Sequence, residues 1–195
     1  MTSARRPKQL WLFIFPVIAC GCAVHRPTGV GSLALPVPTT NHTPPQHPLD
    51  ADDLGLPNFG TVTHDVFRGG QPTRAGLEVL ARLGVKTVID LRADDAPQPM
   101  PAGMRLVRLP VSAWSADTVD PRSILQAISQ NPKPVFIHCW EGRDRTGLAV
   151  AIYRLSIGMS ADDACRELRN FHVNPWWQAL IERRIHHLQA LSKSG

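Results

Sequence analysis

The ten residues His138-Cys139-Trp140-Glu141-Gly142-Arg143-Asp144-Arg145-Thr146-Gly147 join two apolar segments, and that junction restricts the fold more than any other part of the chain. Pro134-Val135-Phe136-Ile137 before it reads as a short buried strand, and Leu148-Ala149-Val150-Ala151-Ile152-Tyr153 after it suits a core helix. Cys139 is therefore predicted on a strand-to-helix loop. Such a loop aims successive backbone N–H groups into one concavity at the positive end of a helix, where a tetrahedral dianion such as phosphate is stabilised. Five residues separate Cys139 from Arg145, which lets the loop curl round the anion with sulfur beneath it and a guanidinium gripping two oxygens. Arginine's planar fork makes two parallel charge-assisted hydrogen bonds where lysine offers a point charge. Gly142 supplies backbone angles or a close approach that a Cβ forbids, and Gly147 lets the helix pack tightly. A helix N-terminus and a neighbouring cation favour thiolate over thiol, which makes Cys139 a candidate nucleophile.

Two other readings of the loop are weaker. Gly142 and Gly147 have the separation of a nucleotide-binding Walker loop, but Leu148-Ala149 stand where Lys-Ser/Thr is required. Cys139 as a buried structural thiol is the bland alternative, and cysteine, glycine and arginine at this spacing do not arise readily from packing alone.

The sequence HCWEGRDRTG resembles the HCxxGxxR[ST]G active-site loop of the cysteine-dependent protein tyrosine phosphatase superfamily, closest to its compact bacterial dual-specificity-like branch. The similarity extends to Phe67-Arg68-Gly69-Gly70-Gln71-Pro72 and to Gly84-Val85-Lys86-Thr87-Val88-Ile89-Asp90-Leu91-Arg92, about two-thirds of the chain in all. The resemblance implies that Cys139 attacks phosphorus to form a phosphocysteine, that Arg145 binds the phosphoryl oxygens, and that the Thr146 hydroxyl steadies the thiolate in the hydrolytic step. It implies no metal and no cofactor. Trp140, Glu141, Gly142, Arg143, Asp144 and Arg145 would form the substrate-binding loop, with His138 supporting it by hydrogen bonding. Arg143-Asp144 resembles the Lys-Asp pair of phosphatases that accept phosphoinositides or inositol phosphates. The plainer reading has Arg143 facing solvent and Asp144 orienting neighbouring arginines. Trp140 either stacks on an aromatic substrate or packs beneath the loop.

A leaving phenolate or alkoxide needs a proton, and two aspartates compete to supply it. Asp120 followed by Pro121 reads as an N-cap and first helical residue. Asp117, still in the loop, is freer to reach the substrate and is the expected general acid, on the segment where the resemblance places it.

The rest of the chain alternates strand and helix. Thr73 caps a helix carrying Leu77, Leu80 and Leu83 and stopped by Gly84. Residues 85–91 and 104–109 read as strands, Pro121 to Ser129 as a helix closed by Asn131-Pro132, and 134–138 as the strand entering the loop. Gly158 ends the loop helix and Ser160 caps the next. A last helix begins at Asn174-Pro175, with a buried stripe of Ile181, Ile185 and Leu188 extending toward Leu191. The expected class is α/β, a single central, mostly parallel sheet flanked by helices, similar to the protein tyrosine phosphatase fold, with the site at the carboxyl ends of the strands. Trp176 and Trp177 fold over the core or border the pocket. Cys165 packs on a helix face.

The front of the chain reads differently. Arg5, Arg6 and Lys8 precede the apolar stretch Leu10 to Ala19, too short to span a bilayer comfortably and shaped like an export signal. Small residues before Cys20 and Cys22 resemble a lipoprotein processing site, and either cysteine is a lipidation candidate. A soluble periplasmic product or an uncleaved anchor are the alternatives. Residues 1–22 are thus expected to be a lipoprotein-type signal, 23–58 a proline-rich linker, and 59–195 the phosphatase domain, exported to the periplasm and tied to the membrane.

Net charge is +5, yet four of 21 basic and three of 16 acidic residues precede Phe59, leaving 17 against 13 in the domain. That mild excess suits anionic substrates, and no basic helix with interleaved aromatics suggests nucleic acid. Phosphorylated protein, phosphotyrosine above all, is the expected substrate, with a phosphoinositide or inositol polyphosphate second. An inactive phosphate-binding lipoprotein is the reading from another class.

Overall fold

The computed structural model describes residues 48–93, 96–112, 114 and 118–193. In chain order these carry α1 (Pro48–Asp53), β1 (Gly60–Thr63), β2 (Val66–Gly69), α2 (Arg74–Arg82), β3 (Thr87–Arg92), β4 (Arg105–Val111), α3 (Pro121–Ser129), β5 (Val135–His138), α4 (Asp144–Ser156), α5 (Ala161–Asn170) and α6 (Pro175–Lys193). The five strands form one sheet in the order β1-β2-β5-β3-β4. β1 runs antiparallel to β2, while the β2/β5, β5/β3 and β3/β4 pairs are parallel. This is the α/β architecture expected.

Alternation along the strands divides the core into two clusters. Val66, Ile89, Val135 and Ile137 face one, shared with α3 to α6; Phe67, Val88 and Phe136 face the other, shared with α1 and α2. The central helix α4 is buried from Arg145 through Ile152. Each Leu, Ile or Val withdrawn from water there contributes about 1.5–3 kcal/mol, so the loop between β5 and α4 is held at both ends by buried elements.

Local signals place the elements. Thr73 Oγ1 accepts the Gly76 N–H at 3.1 Å and starts α2, and Gly84 follows its end at φ +84°, a conformation that costs a Cβ-bearing residue most. The Asn131 amide donates to the Ala127 carbonyl at 2.9 Å and closes α3. β3 and β4 each lie a little later in sequence than expected.

The 23–58 tether needs correction at its end. Residues 48–53 form α1, Ala51 and Leu56 are fully buried, and Asp52 Oδ1 accepts the Asn58 N–H at 2.9 Å. The tract packs because those two apolar side chains cover the Phe59–Phe67–Phe136 cluster. The proposed signal, Cys20, Cys22 and Asp117 lie outside the described residues. On α6, Ile181 and Ile185 are buried as expected, but Leu191 is exposed, beyond the reach of the core. Among the described residues no helix is long and apolar enough to cross a membrane.

Candidate active site

Cys139 is the first residue after β5 and Arg145 lies in the first turn of α4, and both are nearly buried. They open on one cleft of about 290 Å³, shared with Arg143 and Asp144 and walled by Trp114, Trp140 and Trp177. Arg145 Nη1 donates to the Val111 carbonyl at 3.0 Å, so the end of β4 aims its guanidinium.

The loop's carbonyls are all occupied from outside. His138 Nδ1 donates to Cys139 O at 3.1 Å, Gln71 N to Trp140 O at 2.9 Å, Asn58 Nδ2 to Glu141 O at 3.3 Å, and Arg68 Nη2 to Gly142 O at 2.8 Å. In a planar trans peptide the N–H points opposite to the C=O. Turning four successive carbonyls away therefore turns the N–H groups of Trp140, Glu141, Gly142 and Arg143 the other way, which is the amide-lined bowl that the spacing predicted. Gly142 is obligatory here: its φ is +74°, and a Cβ would sit 2.4 Å from Gly69 C and 2.5 Å from Gly70 N.

Beneath the bowl lies a polar network. His138 is buried, and burial pushes its imidazole down to about 4 against the opposing pull of Asp90. The ring is then neutral, and because a carbonyl can only accept, its proton sits on Nδ1; Nε2 faces Asp90 Oδ1 at 3.9 Å. Burial raises the Asp90 carboxyl, but hydrogen bonds from Arg92, the charge His138 carries once protonated and the charge of Arg92 outweigh it and hold the group below the usual range. Arg92 grips it with Nε and Nη2, each at 3.0 Å, the bidentate arrangement that suits a buried pair.

Of the other side chains, Thr146 and Asp144 make bonds different from those expected, whereas Arg143 follows its plainer reading and Trp140 takes the mouth rather than the underside of the loop. The Thr146 hydroxyl donates to the Gly69 carbonyl at 3.4 Å rather than to sulfur, because the turn into α4 carries it toward β2. Arg143 faces solvent and pairs with Glu141 at 3.6 Å, an exposed contact of small energetic weight. Asp144 makes no ion pair with either neighbouring arginine among the described residues. Its Oδ1 accepts the Asn174 N–H at 2.8 Å, tying α4 to the segment before α6, and burial raises its carboxyl. Trp140 lies at the mouth, 57% exposed, with the Arg92 guanidinium 5.2 Å from its ring centroid; it does not pack beneath the loop. Trp177 borders the cleft and Trp176 points to solvent.

Asp120 is committed to capping α3: its carboxylate accepts from Ser123 Oγ at 2.6 Å, Ser123 N at 3.0 Å and Arg122 N at 3.3 Å. The Ser123 bonds come first in holding its carboxyl below the usual range. A group stabilised as an anion and occupied in this way is a poor proton donor. Cys165 is free and buried, and burial pushes its thiol up to about 11, the mark of an inert packing residue.

Sequence reasoning passed over Asn58 and Arg68. Arg68 is fully buried, and burial lowers its guanidinium to about 10 against the opposing charges of Glu167 and Cys139. No burial signal marks either residue in the sequence, because β2 has only four residues and no readable period.

Comparison with known proteins agrees with this geometry. A family model described as a DSP-PTPase phosphatase fused to NAD+ kinase matches residues 54–181. The dual specificity protein phosphatase TpbA of Pseudomonas aeruginosa (strain UCBPP-PA14) is 31% identical over 116 residues, 57% of this chain and 53% of that one, so the chain spans about half the length of that relative. OCA1 of Mycosarcoma maydis, named among the tyrosine-protein phosphatases, is 31% identical over 66% of this chain and 89% of its own. Among solved structures, P. aeruginosa TpbA in complex with pTyr superposes with a TM-score of 0.54 at 26% identity, covering 71% of this chain and 91% of that one. DUSP15 shares the fold with a TM-score of 0.55 at 17% identity, covering 69% and 88%.

Proposed function

Because the chain belongs to the DSP-PTPase family of dual-specificity phosphatases, we propose that it hydrolyses phosphate monoesters through a phosphocysteine, with protein phosphotyrosine as its first substrate. The observation that carries this reading is the bowl itself: sulfur and guanidinium on one cleft, with the carbonyls of Cys139 to Gly142 all drawn outward.

In the first step the Cys139 thiolate attacks phosphorus in line. The S–P bond forms as the P–O bond to the leaving group breaks, and Asp117 gives that oxygen its proton. The amides of the loop and the Arg145 fork hold the equatorial oxygens where charge spreads in the transition state. In the second step Asp117, now the base, takes a proton from water as that water attacks phosphorus. The S–P bond breaks, inorganic phosphate leaves, and the thiolate is restored. The role of Asp117 rests on the commitment of Asp120 to its cap and on the family resemblance.

The aromatic walls favour phosphotyrosine. Trp114, Trp140 and Trp177 can cover a phenyl ring with offset or edge contacts worth about 0.5–1.5 kcal/mol each, and the relative TpbA has been crystallised with pTyr. Arg143, exposed at the rim and held by Glu141 only through a weak surface contact, prompts the phosphoinositide alternative.

The test is hydrolysis of an aryl phosphate and of phosphotyrosine peptides by the full chain in the presence of a chelator. Turnover is expected, and undiminished turnover in Cys139→Ser would overturn the nucleophile. Export and lipidation at Cys20 or Cys22 form a separate proposal, supported by the basic and apolar residues before them. Incorporation of radiolabelled lipid into chains with each cysteine replaced by alanine decides it.

A further inference from the structure

We propose that Arg68 is a positioning residue of this reaction: a buried cation beneath the loop that locks the Gly142 carbonyl outward and favours the ionised form of Cys139 from below. The proposal rests on the phosphatase reading above for its chemistry, but its geometry stands by itself.

Arg68 lies on β2, beside β5, in register with Ile137. It is fully buried, and Nη2 donates to Gly142 O at 2.8 Å. Its guanidinium carbon lies 3.7 Å from the Phe171 ring centroid, a cation–π contact that partly replaces lost water. Nε and Nη1 have no hydrogen-bond partner among the described residues, and no carboxylate there lies within ion-pair distance of the group. Glu167, the acid that faces it, is spent on Arg154 at 2.8 Å. A buried charge so poorly compensated is costly and is retained only if something uses it. Even at about 10 the guanidinium is protonated at neutral pH. The anion left to use it is the Cys139 sulfur, which exerts an attractive charge on Arg68.

Two donors hold the Gly142 carbonyl, and they differ in charge. Asn58, in a left-handed conformation at φ 50°, donates Nδ2 to Gly142 O and to Phe171 O, each at 3.2 Å. It fixes the peptide but brings no charge. Arg68 does both. Arg145 shares the cleft of Cys139, and His138 bonds its backbone carbonyl with Asp90 and Arg92 acting on that ring, while Arg68 lies under the loop with Glu167 and Arg154 acting on it in turn.

That difference sets the experiment: the pH profile of Cys139 alkylation by iodoacetamide, followed by mass spectrometry, together with competitive inhibition by inorganic phosphate. Wild type, Arg68→Gln, Arg68→Met and Asn58→Ala are compared in the full chain. Removing the charge is expected to move the alkylation midpoint up by about one pH unit, the effect of one nearby opposite charge. Asn58→Ala leaves the midpoint in place and weakens phosphate inhibition by about tenfold, through loss of its hydrogen bonds to the loop carbonyls of Glu141 and Gly142. Arg68→Met guards against misfolding, because an apolar chain in place of a buried ion often preserves stability. A wild-type midpoint in a cooperatively melting Arg68→Met or Arg68→Gln protein overturns the proposal. So does a midpoint shift in Asn58→Ala as large as that at Arg68, since loop position rather than charge would then be the cause. If the wild-type chain fails to turn over aryl phosphates while its alkylation profile still responds to Arg68, the phosphatase reading falls and this inference stands.

Discussion

The underside of the active-site loop and its mouth are built on opposite principles. Below, Arg68, Asp90, Arg92 and His138 are all 5% exposed or less and locked to one another or to the loop. Above, Trp114 and Trp140 are 86% and 57% exposed, and Arg143 pairs at the surface with Glu141. The contrast separates two tasks. Orienting amides and a thiolate demands preorganisation that water cannot disturb, whereas accepting a substrate demands surface that is free to be covered. Substitutions below should therefore alter chemistry or stability whatever the substrate, and those above should alter substrate preference alone. Cys139→Ser should make the largest change, a fall in kcat on the order of 10⁶-fold with unchanged melting, as for a nucleophile whose removal leaves only binding. Asp117→Asn should follow, with a loss of about 10²- to 10⁴-fold that is greater for alkyl than for activated aryl leaving groups. A uniform loss across leaving groups would remove it from the role of acid.

Gly142→Ala attacks the underside through the backbone. Its Cβ cannot coexist with Gly69 C at 2.4 Å, and the positive φ is strained for alanine. The loop must shift, and a displacement near 1 Å costs about 10²-fold in rate. A normal kcat/KM in Gly142→Ala would mean that the carbonyl pinning described here does not govern activity.

What was legible in the sequence follows the same division. Strand β5, helix α4 and the Cys139–Arg145 loop announce themselves because apolar runs flank a fixed spacing, and α3 does so through Asp120-Pro121 and Asn131. The β1–β2 hairpin was not foreseen: each strand has four residues, β1 buries only Val62, and β2 buries an arginine and a glycine among its four. No period survives in such segments. The supports of the loop were illegible for another reason. Arg68 and Asn58 reach Gly142 across 74 and 84 residues, and a single chain without its fold contains no trace of such pairings. Thr146 shows the converse, since its motif position was evident and its hydrogen bond was not.

The underside also predicts an acid response. His138 goes from 6.5 unfolded to about 4 folded, so the folded state binds fewer protons in that window and stability falls as pH drops through it. At about 1.36 kcal/mol per unit the loss approaches about 3 kcal/mol by pH 4. Asp90, held below 3.8, adds to it only at lower pH. Urea titrations at pH 7, 5 and 4 check this, and His138→Asn should flatten the upper part of the curve. Trp140→Ala, above the loop, should leave that curve unchanged while lowering kcat/KM for phosphotyrosine peptides by about threefold to tenfold, with no loss on a small alkyl phosphate. Equal losses on both substrates would erase the proposed division between mouth and underside.

The smallest effect is expected at Asp120, which belongs to neither region. Its carboxylate serves the first turn of α3, and asparagine caps a helix about as well as aspartate. Asp120→Asn keeps one oxygen, enough for the Ser123 N–H that Oδ2 accepts, and gives up the longer bond from the Arg122 N–H to Oδ1, while losing the capacity to exchange a proton. Its kcat and its pH profile should therefore match wild type on leaving groups of every basicity, with a slight fall in Tm from the weaker partner for Ser123 Oγ. A loss of turnover that steepens with leaving-group basicity, at unchanged Tm, would transfer the proton donor's role from Asp117 to Asp120. It would also mean that the cap opens when substrate arrives, making the start of α3 part of the site rather than part of the scaffold.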